Sequence, residues 1–353
     1  MKKTLRAMLA LIAATACAPG SAQASFMERD GAQAFVRELA ERHGFDASIV
    51  SATLAAAAHE PQVIRLISPP TRAGVRSWQR YRARFLDRLR IDGGLAFWNS
   101  HEEDLRRASE RYGIPIEIIV AIIGVETVYG RNTGNFETLS ALATLAFDYP
   151  PRAELFRREL EALFLLAREQ GRDPRSYYGS YAGALGYPQF LPSSVRSFGV
   201  DFDGDGRINF EAGPSDAIGS VANYLHAHGW QAGAPIAERA RFDGVIDPAP
   251  LIAAGIEPAL EPIVLAQAGV KTLDGSAPPA TATLVDLETP GATTEYWLGY
   301  RNFYVITRYN RSSFYAMSVF ELAEALRVRR SGLIAQQDAG PRRPPGRACA
   351  TLP

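Results

Sequence analysis

A mainly helical fold (α+β) that carries a small inserted β-rich domain is the class predicted by this sequence. Helical periodicity dominates from Met27 to about Arg111 and returns from Phe314 to Val328. Between residues 231 and 299 this periodicity fades, and Pro and Gly recur every few residues between short apolar runs. The chain has 353 residues, of which 47% are hydrophobic and 22% charged, so it can bury a large core.

Residues 1–24 have the pattern of a secretory signal peptide. Basic residues precede a short apolar stretch, Met8–Ala16, which is too short to cross a membrane. The small residues of Ala22–Ala24 predict a cleavage that leaves Ser25 as the new N-terminus. The alternative is a lipobox that ends at Cys17, whose lipidation would hold the protein at the outer membrane. Both interpretations place the protein in the periplasm.

Charge and cysteine content exclude several classes of protein. The 38 basic and 38 acidic residues balance, which argues against a nucleic-acid-binding protein with a broad basic surface. We therefore expect no nucleic-acid partner. The two cysteines, Cys17 and Cys349, cannot form a disulfide scaffold or a thiolate metal site.

The pattern divides the chain into successive regions. Aromatic and apolar residues recur at helical steps from Trp78 to Leu89, which predicts one amphipathic helix. Within the β-rich domain, Ile263–Leu265 and Thr281–Val285 predict strands, and Tyr296–Tyr309 then predicts an aromatic strand or turn. The predicted regions are a signal peptide (1–24), an N-terminal helical region (25–111), a central core (112–230), a β-rich domain (231–299), a return to the core (300–330) and a disordered, proline-rich tail (331–353).

One predicted helix carries a carboxylate in apolar surroundings. Pro115 suits the first turn of this helix and Gly130 its end, and the residues between them are apolar on nearly every face. Glu117 lies in the first turn, where the helix dipole favours a carboxylate. Glu126 follows an apolar run, so burial should raise its pKa toward neutrality, as a general acid requires. The alternative is a structural ion pair with an arginine such as Arg131.

A loop of small and aromatic residues follows at Gly179–Ser194. Its glycines allow the backbone to come close to a ligand, and its Tyr, Gln and Ser side chains offer hydrogen bonds. The alternative is a tight structural turn with core aromatics. Together with the helix of Glu126, the loop predicts a ligand-binding site.

These segments and others in the same order resemble the lytic murein transglycosylases, specifically the membrane-bound B family. The likeness runs from about residue 28 to about residue 328. The motifs that carry it are Gly124–Gly130, Leu139–Pro150, Gly183–Tyr187, Gln189–Ser194, Asp216–Tyr224 and Asn302–Asn310.

The resemblance implies a lysozyme-like helical core with extra N-terminal helices and a small β domain. It also implies an enzyme that cleaves the β-1,4 bond between N-acetylmuramic acid and N-acetylglucosamine. That cleavage leaves a 1,6-anhydromuramoyl end without net hydrolysis. The implied partners are peptidoglycan glycan strands, with cell-wall synthases or amidases as further candidates, and we expect a monomer.

The resemblance also implies roles for individual residues. Glu126 is implied as the catalytic residue. Arg152 stands where the family has basic residues that face the acidic muropeptide, with Pro151 in place of the first of a basic pair. The implied cleavage subsites are lined by Ser180, Gln189, Tyr309 and Asn310, and the implied stacking faces for sugar rings are Tyr81, Phe190 and Tyr315.

No second acid accompanies Glu126 in its motif or in the loop of residues 179–194. Ordinary glycosidases use two carboxylates. A single carboxyl that acts first as acid and then as base fits the cyclising outcome, in which the 6-hydroxyl of the sugar replaces water. The acetamido group of the substrate, or dipoles of Tyr, Gln and Ser, would stabilise the cation-like transition state. The alternatives are a hydrolytic muramidase and a non-catalytic peptidoglycan-binding scaffold.

An acidic loop, Asp201–Asn209, matches the first nine positions of an EF-hand calcium loop. Position twelve departs from the motif because it is Ala212 rather than Glu. The resembling family closes a longer loop with an Asp, here Asp216, which could instead be a plain helix N-cap. We expect a structural Ca²⁺, with Na⁺ as the alternative ion. The expected ligands are Asp201, Asp203, Asp205, the carbonyl of Arg207, and Asp216.

Overall fold

The computed structural model describes residues 25–69, 74–243 and 246–338, with side chains up to residue 333. The predicted signal peptide with Cys17, and the end of the predicted tail with Cys349, lie outside the described residues. The described part contains no helix that is both long enough and apolar enough to span a membrane. The chain forms two compact units, which meet in sequence between His59 and Glu60.

The first unit is helical over its described residues. The apolar residues Phe35 and Leu39 are buried, as their helical spacing predicts. The first long helix ends at Gly44, whose φ of 66° is the left-handed conformation that glycine adopts without strain. The elements are a short 3-10 helix (Phe26–Glu28), α1 (Asp30–His43) and α2 (Ala47–Ala56).

The second unit contains the remaining helices and both sheets. The helices are α3 (Pro61–Ile67), α4 (Trp78–Arg82), α5 (Arg88–Ser100), α6 (Glu102–Tyr112), α7 (Ile116–Thr127), α8 (Thr138–Asp148), α9 (Ala153–Glu169), α10 (Pro192–Phe198), α11 (Ser215–Ala227), α12 (Ala249–Ala253), α13 (Pro262–Gln267), α14 (Arg301–Thr307) and α15 (Ser313–Asp338).

Helix α7 lies at the centre of this unit. It packs against α5, α6, α11 and α15. Every residue from Ile118 to Val125 is buried, as expected for a helix that is apolar on all faces. The candidate acid Glu126 therefore stands at the end of a helix that is buried along most of its length.

The β-rich domain contains a four-stranded antiparallel sheet with its own small core. The core includes Leu265, Val270, Leu284 and Leu298. A separate two-stranded sheet pairs β1 (Phe136–Glu137) with β2 (Tyr178–Gly179). The four-stranded sheet has the order β4-β3-β6-β5, with strands β3 (Ala237–Phe242), β4 (Val270–Thr272), β5 (Thr283–Leu287) and β6 (Glu295–Gly299). The predicted class, a mainly helical protein with a small β-rich domain, is confirmed.

Three local predictions are wrong, and a fourth is right only for its first residues. The single helix predicted over Trp78–Leu89 is broken, because α4 ends at Arg82 and Asp87 caps a new helix by accepting the amide hydrogen of Arg90 (2.7 Å). The strand predicted at Ile263–Leu265 is helix α13, which Pro262 starts.

The other two concern the end of the chain. The aromatic segment Tyr296–Tyr309 comprises the end of β6 and then helix α14, which begins at Arg301. The tail predicted from residue 331 is still helical up to Asp338, because α15 continues.

Candidate active site

Glu126 lies at the end of α7, where the chain leaves the core in a left-handed path. Val128, Tyr129 and Gly130 have φ values of 52°, 60° and 85°. A Cβ atom at Gly130 would come within 2.2 Å of the Tyr187 ring, so glycine is required there on steric grounds as well. The turn therefore brings the end of α7 directly against the Gly179–Ser194 loop.

Tyr129 fixes this turn from within the core. Its hydroxyl donates a hydrogen bond to the carbonyl of Arg90 (2.8 Å). The ring passes so close to α7 that a Cβ at Gly124 would lie 2.4 Å from the Tyr129 hydroxyl oxygen. Gly124, two residues before Glu126, is thus the gap in α7 that accommodates the tyrosine.

The Glu126 carboxyl is bonded to a tyrosine and not to an arginine. Tyr315 on α15 donates its hydroxyl hydrogen to Glu126 Oε1 (2.6 Å). Burial raises the pKa of Glu126 from 4.5 to about 7, and the hydrogen bond from Tyr315 lowers it by a smaller amount. In the part of the chain that the structure describes, no arginine is within ion-pair distance of Glu126. The ion-pair alternative, with Arg131 as the candidate, is therefore not seen.

Three tyrosines surround this carboxyl. The pKa values of Tyr309 and Tyr315 are well above the usual value of 10.0, first because both are buried and then because the charge of Glu126 lies close by. The pKa of Tyr81 is raised for the same two reasons, although Arg84 opposes the shift. These side chains remain neutral hydroxyls at physiological pH, and they can donate hydrogen bonds.

The predicted loop is closed by its own backbone. The amide of Ser180 donates to the carbonyl of Ala184 (2.9 Å), and that of Leu185 donates to Phe190 (2.8 Å). Gln189 has a φ of 50°, and its Nε2 donates to the carbonyls of Thr133 and Gly186. The loop is thereby tied both to itself and to the segment that follows Glu126.

Two residues that the sequence analysis did not assign hold this loop in place. The Thr127 hydroxyl is within hydrogen-bond distance of the Tyr187 carbonyl (3.1 Å) and accepts the amide hydrogen of Gly130 (3.0 Å). Glu159 on α9 is 5% exposed, and its carboxylate accepts both the amide and the hydroxyl hydrogens of Ser193. The sequence signal that could have identified Glu159 is its position among the apolar residues of an amphipathic helix.

The predicted substrate residues fall into two groups. Tyr81, Tyr309 and Tyr315 lie together around Glu126, and Tyr309 also donates its hydroxyl hydrogen to the Pro188 carbonyl (2.7 Å). Arg152 and Asn310 are exposed.

Two of the implied stacking faces are not accessible rings. Phe190 is 2% exposed and packs against Phe210, Tyr224 and Tyr309, so it forms part of the core under the site. Tyr315 is 3% exposed and contacts Glu126 through its hydroxyl. The structure thus corrects both expectations. Phe190 packs in the core, and Tyr315 donates a hydrogen bond to Glu126. Tyr81 keeps a partly exposed ring.

A cleft of about 440 Å³ adjoins the loop. Residues 131–136, directly after the Glu126 turn, form one wall, and Ser180 and Tyr181 form the other. Amide side chains at Asn132 and Asn135 add hydrogen-bonding groups that the sequence analysis did not consider. The cleft gives Ser180, one of the implied subsite residues, a place on a ligand-sized surface.

The acidic loop has the shape of a cation site. One carboxylate oxygen from each of Asp201, Asp203 and Asp205 lies within 4.8 Å of the other two. Oxygens at that spacing can ligate one Ca²⁺, whose ligands lie at about 2.3–2.6 Å. The amide of Arg207 donates to Asp205 Oδ1 (2.9 Å), which keeps the loop wrapped.

Asp216 supports this loop from behind. Its Oδ1 accepts the amide hydrogens of Phe202 and Asp203, and its Oδ2 accepts that of Asn209. The side chain is buried and is not one of the three grouped carboxylates. The Asp216 carboxylate therefore shapes the loop by binding the backbone amides of the loop. Glu211, which follows the loop, forms an ion pair with Arg172 (3.3 Å).

Most of the chain is similar to known transglycosylases. The family described as a transglycosylase SLT domain matches residues 28–324. The membrane-bound lytic murein transglycosylase B of Escherichia coli is 42% identical over 314 residues, which cover 86% of this chain and 85% of that protein.

Solved structures share the fold. The Escherichia coli lytic transglycosylase Slt35 in complex with calcium is 42% identical, with a TM-score of 0.77 over 87% of this chain and 95% of that chain. SltB3 from Pseudomonas aeruginosa in complex with NAG-anhNAM-pentapeptide is 31% identical, with a TM-score of 0.73 over 86% of this chain and 80% of that chain.

Proposed function

The chain belongs to the transglycosylase SLT family and is a lytic murein transglycosylase, a lyase that acts on peptidoglycan; we propose that the single carboxyl of Glu126 performs both proton transfers of the reaction. The observation that carries the proposal is a carboxyl whose pKa burial raises to about 7, held by the neutral hydroxyl of Tyr315. Near neutral pH such a group is available both as an acid and, after it has given up its proton, as a base.

In the first step, protonated Glu126 donates its proton to the glycosidic oxygen that leaves. The bond between this oxygen and C1 of N-acetylmuramic acid breaks, and positive charge develops at C1. The acetamido group of the substrate, or the dipoles of the tyrosines and of Gln189, would stabilise this charge. The hydrogen bond from Tyr315 favours the carboxylate that forms.

In the second step, the Glu126 carboxylate takes the proton of the 6-hydroxyl of the same sugar. The oxygen of this hydroxyl attacks C1, which closes the 1,6-anhydro ring and restores the protonated acid. No water is consumed, so one carboxyl completes the cycle. A hydrolytic muramidase is the second candidate, but it needs a second carboxylate. Among the described residues, no other carboxylate contributes to the raised pKa of Glu126, which burial and Tyr315 account for.

We assign the substrate contacts to the surfaces around this carboxyl. Ser180 and Gln189 would bind sugar hydroxyls along the cleft, with Tyr309 and Asn310 on the side of α15. Tyr81 would stack its partly exposed ring on a sugar. The exposed guanidinium of Arg152 would attract the acidic muropeptide.

Purified sacculi test the reaction class directly. Digestion with this protein is expected to release muropeptides that end in an anhydromuramoyl group, each lighter by one water than a hydrolytic product. Mass spectrometry separates the two. Release of reducing ends would contradict the cyclising step and favour the muramidase.

The acidic loop is proposed to bind Ca²⁺ in a structural role. Asp201, Asp203 and Asp205 would hold the ion, with the carbonyl of Arg207 and, after one oxygen turns, Asp216 completing the set. A bound ion would offset the repulsion among the carboxylates and tie the loop to the start of α11. Na⁺ remains the alternative, with weaker binding expected from its single charge.

Calcium is expected to raise the thermal midpoint of the chelator-treated protein. Binding at 100 times the dissociation constant would add about 2.7 kcal/mol, which is several degrees for a domain of this size. Asp203→Asn should abolish the shift, whereas Asp92→Asn, an exposed acid on α5, should keep it. An equal shift in the Asp203→Asn protein would contradict the site, and differential scanning fluorimetry measures all three proteins.

The cellular setting follows from the same assignment. We propose that the protein acts in the periplasm on glycan strands, either released after Ala24 or held by a lipid on Cys17. Synthases and amidases of the cell wall are the proposed partners. The relative from Escherichia coli is named as membrane-bound.

A further inference from the structure

A second cavity, of about 470 Å³, opens where the β-rich domain meets α4 and α15. Its walls carry four charged residues: Arg82 and Glu321 on the helices, Arg239 and Glu295 on the sheet. None of these residues belongs to the site around Glu126. The cavity is therefore a separate surface with four charged side chains in its walls.

The charged residues of this cavity form ion pairs, but their arginines keep unused hydrogen-bond donors. Arg82 forms an ion pair with Glu321, and Arg239 forms one with Glu295 (3.4 Å). The two arginine side chains are about half exposed, at 47% and 53%. A guanidinium has five donor hydrogens, and one carboxylate accepts two at most in the bidentate arrangement. Each arginine thus keeps donors for a further anion.

The sheet continues this surface of paired charges, with a further ion pair between Lys271 and Asp243 (3.5 Å). In the antiparallel register Arg239 faces Trp297 and Arg241 faces Lys271. Alternate residues of β3 share a face, and directly paired residues do too, so these four side chains lie on one face of the sheet. Lys271 is the only lysine after residue 3 of the chain. A neighbouring cavity of about 400 Å³, also lined by Arg239, continues along this face.

The cavity and the site around Glu126 are linked by residues that pack against each other. Trp78 lines it and packs edge-on against Phe314 (ring centroids 5.3 Å apart), the residue before Tyr315. Glu321 follows Tyr315 by six residues on α15, which corresponds to about 9 Å along the helix axis. A five-residue peptide extends over about 17 Å, so it can reach from a sugar near Glu126 into the cavity.

We propose that this cavity binds the peptide stem of the peptidoglycan strand, an inference that rests on the function proposed above. A stem peptide carries carboxylates, which match the free donors of Arg82 and Arg239. Neutral sugar hydroxyls would not need four charged groups in one cavity.

Kinetics on two substrates test the assignment. Glycan strands that carry their peptides are compared with strands stripped by an amidase, and anhydromuramoyl ends are counted for both. Arg239→Gln is expected to raise KM about tenfold on peptide-bearing strands and to leave it unchanged on stripped strands. Arg327→Gln, which removes an equally exposed and ion-paired arginine outside the cavity, should change neither value.

Salt provides a measurement that needs no variant. With the unmodified protein, added salt should raise KM more on peptide-bearing strands than on stripped strands, because exposed charge pairs are screened. Equal effects of Arg239→Gln on both substrates, or equal salt dependence, would overturn the peptide site. Absence of anhydro products from both substrates with the unmodified protein would instead refute the proposed function.

Discussion

Glu126→Gln is expected to lower the rate of anhydromuramoyl formation by about 10²- to 10⁴-fold, which is the range that general acid–base groups contribute. The amide keeps the size of the side chain and can still accept the hydrogen bond from Tyr315. It has no proton to give to the leaving oxygen and cannot take one from the 6-hydroxyl. Both steps assigned to Glu126 are therefore lost together.

The measurement is the release of soluble muropeptides from purified sacculi under steady-state conditions. Glu117→Gln is the matched control, because it makes the same chemical change in the first turn of α7, away from the site. We expect this control to retain full activity. If Glu126→Gln kept a tenth of the activity or more, another residue would have to be the acid.

The position of Glu126 could be predicted from sequence because its environment is local. Eight consecutive buried residues precede it on the same helix, so a carboxylate at this position is expected to be desolvated. Its hydrogen-bond partner could not be derived in the same way. Tyr315 is 189 residues away along the chain, and only the packing of α15 on α7 brings the two together.

The corrected residues show the same limit. Phe190 stands in a loop of small residues, where an aromatic ring suggests an exposed binding surface. Whether such a ring faces solvent depends on distant residues, and Phe210, Tyr224 and Tyr309 cover it. Helix α13 was missed because three β-branched and aliphatic residues outweighed the signal of Pro262 at its start.

The acidic loop combines a feature that is local in sequence with one that depends on a more distant residue. The spacing of Asp201, Asp203 and Asp205 is a local signal, and the structure does group their oxygens. The role of Asp216 depends on how a longer loop closes, and its carboxylate contacts three backbone amides of the loop. Side chains that act within one short segment could therefore be derived from the local pattern, whereas those that act between segments, such as Tyr315 and Asp216, were named only through the resemblance to the family.

Glu126→Gln is also expected to stabilise the protein, although it abolishes activity. Burial raises the pKa of Glu126 from 4.5 to about 7, so between these pH values the folded state binds a proton that the unfolded state does not. Stability from this group is therefore lost as the pH rises through that window. At pH 8 the cost is about 3 kcal/mol, and Glu126→Gln should recover it.

Urea denaturation at pH 4 and pH 8 measures this effect as the difference in unfolding free energy between the variant and the unmodified protein. Below pH 4.5 both states of the unmodified protein hold the proton, so the gain from Glu126→Gln should nearly disappear. Glu117→Gln reports what the same change does elsewhere in α7. A gain of equal size at both pH values would mean that packing, and not the buried charge, is responsible. A pH-dependent gain would show that the buried carboxyl of Glu126 lowers the unfolding free energy, as expected of a carboxyl kept in apolar surroundings for catalysis.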